Sequence, residues 1–91
     1  MKADPQLISR LLKTARGQLD GILKMVEEDR YCMDISAQLQ ATASILKKAN
    51  TEVLRAHVSS CVRESMEIGT ESDRNRKIDE LITVIDRVTR L

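Results

Sequence analysis

The sequence has no phenylalanine and no tryptophan, and Tyr31 is its single aromatic residue. Aromatic rings normally supply much of the buried area in a small core. Here Leu, Ile, Val, Met and Ala must fill that role. The chain is 91 residues long, the length of one domain covering residues 1–91. A chain this short buries a modest share of its surface when it folds alone. A core shared between copies is therefore expected. Pro5 is the one proline, and neither Gly nor Pro occurs between Gly21 and Gly69. Nothing in that stretch is built to break a helix. No apolar run approaches membrane-spanning length, and no signal-peptide pattern is present. The expectation is a soluble, cytoplasmic protein that does not touch a membrane. A phosphate loop, a hydrolytic triad and a carboxylate pair are all missing, which argues against an enzyme. The net charge of +1, from 15 basic and 14 acidic residues, excludes neither nucleic acid nor protein as a partner.

What is present reads as helix. Over residues 5 to 28, Ile8, Leu11, Leu12, Ala15, Leu19, Ile22, Leu23 and Val26 recur at spacings of three and four. Pro5 after Asp4 suits a first helical turn. Gly17 and Gly21 weaken this helix by roughly 1 kcal/mol each relative to Ala, and sit either at a close helix approach or on open surface. "EEDRY" ends the segment with neither Gly nor Pro, which leaves the boundary open. Residues 34 to 67 read as one long helix, with Asp34 or a neighbour as its cap. Leu39, Leu46 and Val53 are seven apart, which suits helix-on-helix packing, while Thr42 interrupts the apolar stripe. Gly69 is a natural stop. "TESDRNRK" reads as a polar turn. A third helix follows, with Ile78, Leu81, Ile82, Ile85 and Val88 on one face. The fold class expected is all-α: a three-helix protomer in an antiparallel helical dimer that assembles further to a tetramer.

The two cysteines and the one histidine are Cys32, His57 and Cys61. In a reducing compartment such a pair points to metal or redox chemistry more than to a structural disulfide. His57 and Cys61 are four apart, so a helix puts them on one face, about one turn apart. The bland alternative is a surface histidine beside a cysteine buried as a small hydrophobe. Cys32 lies 25 residues before His57. An unbroken helix of that length separates them by roughly 38 Å, whereas a disulfide needs its Cα atoms within about 7 Å. An antiparallel dimer removes the difficulty, because the start of one long helix then lies beside the end of the other. Two thiolates and one imidazole make a soft set of low coordination number, suited to Cu(I); zinc would want a fourth ligand. Opposed thiols also permit a disulfide or sulfur-bridged link.

With "RLLKTARGQLDGILKMVEEDRYCMDISAQLQA", "AHVSSC" and "IDELI" in place, the chain resembles the copper-sensitive operon repressor (CsoR) family of bacterial regulators over nearly its full length. The resemblance implies a DNA-binding repressor without a helix-turn-helix, built as antiparallel dimers paired into flat tetramers. It also implies that Cu(I) weakens operator binding. By position, Cys32 of one subunit and His57 and Cys61 of another would hold the metal. Tyr31 and Glu80 match positions that hydrogen-bond the ligating histidine ring in such proteins. Glu80 is placed there by "IDELI"; the stretch after Cys61 is longer than in close relatives, and counting without the extra residues puts Lys77 there instead. Nickel and cobalt sensors of the family use further histidines, and this chain has one. Formaldehyde sensors lack the second cysteine. Persulfide sensors need only the thiols, so a persulfide-sensing repressor using Cys32 and Cys61 is the alternative.

For operator DNA, the candidates are Arg10, Lys13 and Arg16 on the first helix and Lys47 and Lys48 on the second. From Lys2 to Arg16 there are four positive charges against Asp4 alone. Charge by itself fits a solvated helix face equally well; the family resemblance is what favours phosphate contacts, with affinity falling steeply in salt.

Overall fold

In a computed structural model, the chain forms three helices: α1 (Pro5–Glu27), α2 (Cys32–Ile68) and α3 (Glu71–Arg90). The structure describes the backbone of residues 1–90, and the side chains of these except at positions 68, 89 and 90. No strand occurs among the described residues, so the all-α expectation holds.

Each helix end has a local cause. At the start of α1, the Asp4 carboxylate accepts the Gln6 N–H at 3.0 Å and Pro5 takes the first helical position. Its end uses no glycine. Asp29 adopts a left-handed φ of 51°. The Asp29 N–H then donates to Val26 O at 3.1 Å and the Arg30 N–H to Met25 O at 3.0 Å. This paired closure normally favours Gly, but Asp tolerates the conformation.

α2 begins two residues before Asp34. The N–H groups of Asp34 and Ile35 donate to Tyr31 O at 3.0 and 3.2 Å, so Tyr31 closes the first turn. Asp34 lies inside that turn, where its charge suits the helix dipole. At the other end, a Cβ on Gly69 would stand 2.6 Å from Ser65 O, which no side chain tolerates without a shift.

"TESDRNRK" is not a turn. Thr70 and Asp73 cap each other: the Asp73 N–H donates to Thr70 Oγ1 at 3.2 Å and the Thr70 N–H to Asp73 Oδ2 at 3.3 Å. This is a capping box, and Glu71 to Lys77 form the first two turns of α3. The hydrogen bonds from the Thr70 backbone and hydroxyl, followed by the charge of Arg76, hold Asp73 below its ordinary value.

Asp4–Asn50 form one compact unit; Met1–Ala3 and the chain from Thr51 onward form another. In the first, a short connection makes α1 antiparallel to the first half of α2. Ile8, Ala15 and Ile22 of α1 are buried, as are Thr42 and Ala49 of α2. Thr42 donates its hydroxyl to Gln18 Oε1 at 2.8 Å, which satisfies a polar group that is 3% exposed. The residue that looks like an interruption therefore belongs to the inward face. Leu39 and Leu46 are left 48% and 45% exposed. Leu12, Leu19, Leu23 and Val26 of α1 are exposed too. Both helices carry two apolar stripes, and the unit uses one of each. Gly17 and Gly21 face open space.

In the second unit, Leu81 and Val84 of α3 are half-buried, whereas Ile78, Ile82 and Ile85 are exposed. The inward face of α3 is thus rotated from the one its isoleucines suggest. Asp29→Gly is expected to raise stability by about 0.5–1 kcal/mol by relieving the left-handed residue, and Gly69→Ala to lower it. Urea denaturation reads both; a destabilised Asp29→Gly would contradict this description of the α1 end.

Candidate metal centre

His57 and Cys61 occupy successive turns of α2, and α3 brings Lys77 and Glu80 to them. The His57 Nε2 is 2.6 Å from Glu80 Oε1. Cys61 Sγ is 3.5 Å from the same nitrogen. Lys77 Nζ approaches Cys61 Sγ at 3.8 Å and Glu80 Oε2 at 3.7 Å. One donor atom from each of His57, Cys61 and Glu80 falls within 4.8 Å of the other two. The four side chains close on one another without being sealed from solvent: His57 is 47% and Glu80 41% exposed. A groove of about 430 Å³ adjoins them, walled by Val53, Leu54 and Val84.

The 2.6 Å contact constrains the imidazole. A carboxylate only accepts, so in the neutral ring Nε2 carries the proton and donates it to Glu80. The lone pair is then on Nδ1. A histidine that binds a metal through one nitrogen commonly donates its other N–H to a carboxylate, and this pair is arranged to do so. The hydrogen bond from His57, with the positive charge of Lys77 behind it, holds Glu80 below its ordinary value of 4.5, although partial burial pushes the other way. A thiol, an imidazole and a carboxylate on two helices suit a soft or borderline metal ion.

Of the residues singled out from sequence, His57, Cys61 and Glu80 are brought together. Lys77 and Glu80 compete for one position by residue counting. Both arrive here, Glu80 at the histidine and Lys77 at the thiol, because they are three apart on one helix. Cys32 and Tyr31 belong to the other compact unit. Cys32 is an exposed free thiol at the first residue of α2, and Tyr31 precedes it, 66% exposed. Arg10, Lys13, Arg16, Lys47 and Lys48 are all exposed. Arg10 and Lys13 line one shallow groove on α1 with Gln6 and Ser9. Arg16, six residues beyond Arg10, is turned away from it by about 120°. Lys47 and Lys48 are neighbours, so about 100° separates them. The Lys77–thiol contact has no sequence sign of its own, since the two residues are sixteen positions apart.

The model of a family described as metal-sensitive transcriptional repressor matches residues 4–87. The copper-sensing transcriptional repressor CsoR of Mycobacterium ulcerans is 43% identical over 74 residues, 81% of this chain and 61% of that protein. The chain thus spans about three-fifths of the mycobacterial relative. The protein of the same name from Bacillus subtilis is 36% identical over 83 residues, 91% of this chain and 79% of that protein. The nickel-responsive transcriptional regulator InrS has the same fold, with a TM-score of 0.82 at 23% identity, covering 97% of this chain and 96% of the other.

The charge of Glu80 gives a pH test. A carboxylate whose folded-state pKa is lowered contributes fully above its ordinary value, and the contribution disappears as pH falls through the folded-state value. Wild type is expected to melt above Glu80→Gln at neutral pH, with the gap closing below pH 4.5. A gap that persists into strong acid would show that Glu80 acts by shape and not by charge.

Proposed function

Because this chain belongs to the metal-sensitive transcriptional repressor family, we propose that it is a Cu(I)-responsive repressor whose sensing site joins Cys32 of one subunit to His57 and Cys61 of another. The observation that carries this is the cluster itself. His57 and Cys61 stand side by side, and Glu80 meets the same ring nitrogen, Nε2, which in the neutral ring donates to it and leaves the lone pair on Nδ1. Relatives named copper-sensing repressors, at 36% and 43% identity, supply the metal.

Cys32 completes the set through a partner. Cys32, Leu39, Leu46 and Val53 are seven apart, and His57 and Cys61 follow at four and four. In a helix these positions share one seam. An antiparallel pair that sets Cys32 against the midpoint of His57 and Cys61, position 59, has its twofold at half of 32 plus 59, close to Leu46. Leu46 then meets its own copy and Leu39 faces Val53. Such a dimer covers the stripe that a single chain leaves open. Pairing of dimers into a tetramer would use the remaining apolar faces of α1 and α3.

Bound Cu(I) supplies a soft centre for two thiolates and one imidazole. The chain does the rest. His57 presents Nδ1 because Nε2 is committed to Glu80, and Tyr31 of the partner subunit adds a hydroxyl near the ring. The His57–Glu80 bond links α2 to α3, so metal occupancy is felt by both helices. Arg10 and Lys13, with Arg16, Lys47 and Lys48, are the cations offered to operator phosphates. Shape and deformability of the DNA carry much of the specificity. The whole chain acts as one sensor and DNA-binding unit, in the cytoplasm where that DNA lies; no helix of the described residues is long and apolar enough to cross a membrane. Persulfide sensing through Cys32 and Cys61 is not favoured, because it leaves the His57–Glu80 arrangement without a task.

Cu(I) titration against a competing chelator, with binding to the DNA upstream of the gene followed in parallel, tests this. Copper is expected to bind tightly and release DNA, and DNA affinity to fall steeply with salt. His57→Ala should retain copper through the thiolates yet fail to release DNA. Copper that leaves DNA affinity of the wild type unchanged would sink the proposal.

A further inference from the structure

Glu80 is an oxygen donor placed within 4.8 Å of the His57 and Cys61 donors. Two thiolates, an imidazole and a carboxylate would make four ligands, the number zinc prefers, whereas the three softer groups suit Cu(I). Something must keep Glu80 from joining. Its Oε1 is taken by His57 Nε2 at 2.6 Å, and its Oε2 faces Lys77 Nζ at 3.7 Å. The same ammonium reaches Cys61 Sγ at 3.8 Å. Lys77 is therefore in contact with the thiol and the carboxylate at once.

We propose that Lys77 determines which metal the site accepts, by holding Glu80 out of the ligand set and by placing a positive charge where a divalent ion would have to sit. The proposal rests on the copper-site reading above. The charge argument follows from Coulomb's law: at one distance, an ammonium opposes a divalent ion twice as strongly as a monovalent one. Lys77 is 33% exposed, so solvent weakens the effect, but contacts under 4 Å are far shorter than the screening length. Lys77 and Glu80 are also three apart on α3, so the cation is carried with the carboxylate it restrains. Lys77 is thus a positioning residue: it contacts the ligating thiol and the reserve ligand and binds no metal itself.

The test compares full-length wild type, Lys77→Met, Lys77→Arg and the double variant Lys77→Met/Glu80→Gln. Met keeps the apolar stem and removes the charge; Arg keeps the charge. Each is titrated separately with Cu(I), Zn(II) and Co(II) against competing chelators, with helix content checked by circular dichroism. Lys77→Met is expected to bind Zn(II) and Co(II) roughly ten- to a hundredfold more tightly, with Cu(I) affinity moving far less. Its Co(II) form should show the intense visible bands of a four-coordinate centre. Lys77→Arg should keep the wild-type preference, and Glu80→Gln in the Met background should cancel the gain. An unchanged Zn(II) affinity, an equal shift for all three ions, or a gain that survives Glu80→Gln would overturn the proposal. The release of DNA from wild type by Cu(I) is a separate readout, so failure of the repressor reading and failure of the Lys77 role are told apart.

Discussion

The 2.6 Å hydrogen bond between His57 and Glu80 is the contact on which the site depends. It joins α2 to α3, selects the ring nitrogen that keeps a lone pair, and holds Glu80 ionised. It also depends on events far down the chain from His57. Thr70 and Asp73 start α3 at Glu71, so Glu80 stands on the third turn of a formed helix. Had "TESDRNRK" been a turn, Glu80 would lie near a fraying end. A capping box at one end of a helix thus sets the geometry of a carboxylate two turns further on.

Burial within the single chain is incomplete. Ile8, Ala15, Ile22, Thr42 and Ala49 make an inward seam of small and branched side chains, and no large side chain in the described residues is fully buried. Leu12, Leu19, Leu23, Leu39 and Leu46 lie on the other stripes and are exposed. A chain of this length without phenylalanine or tryptophan has little to fill a thick core, and these leucines stay exposed in the single chain. In the proposed dimer, the same seam that carries Leu39 and Leu46 also carries Cys32, His57 and Cys61. Assembly and metal sensing would then be set by one helical face.

Much of this was readable from the residues. Three helices followed from apolar spacing, from the absence of breakers between Gly21 and Gly69, and from Gly69 itself. Three features do not show in the spacing alone. Thr42 reads as a flaw in the stripe, because periodicity does not say which of two apolar faces a polar residue serves; its hydrogen bond to Gln18 does. The start of α3 was hidden by polar composition, although Thr70 and Asp73 have the spacing of a capping box. The α1 end was open because Asp29 does the work usually given to glycine. At the site, His57 and Cys61 follow from helical spacing, and Glu80 from family resemblance. Lys77 against the Cys61 thiol needed the structure, since it depends on the rotation of α3 about its own axis.

Mixing subunits tests most directly whether the proposed site is shared between them. Cys32→Ser and Cys61→Ser chains each lack a ligand in every site they form alone. In a mixed dimer built as proposed, the intact Cys32 of one chain would meet the intact His57 and Cys61 of the other, and one of the two sites would be whole. Cu(I) titration after denaturing and refolding the two variants together should therefore recover tight binding that neither shows alone. If the mixture binds no better than the separate variants, the site is not shared between chains.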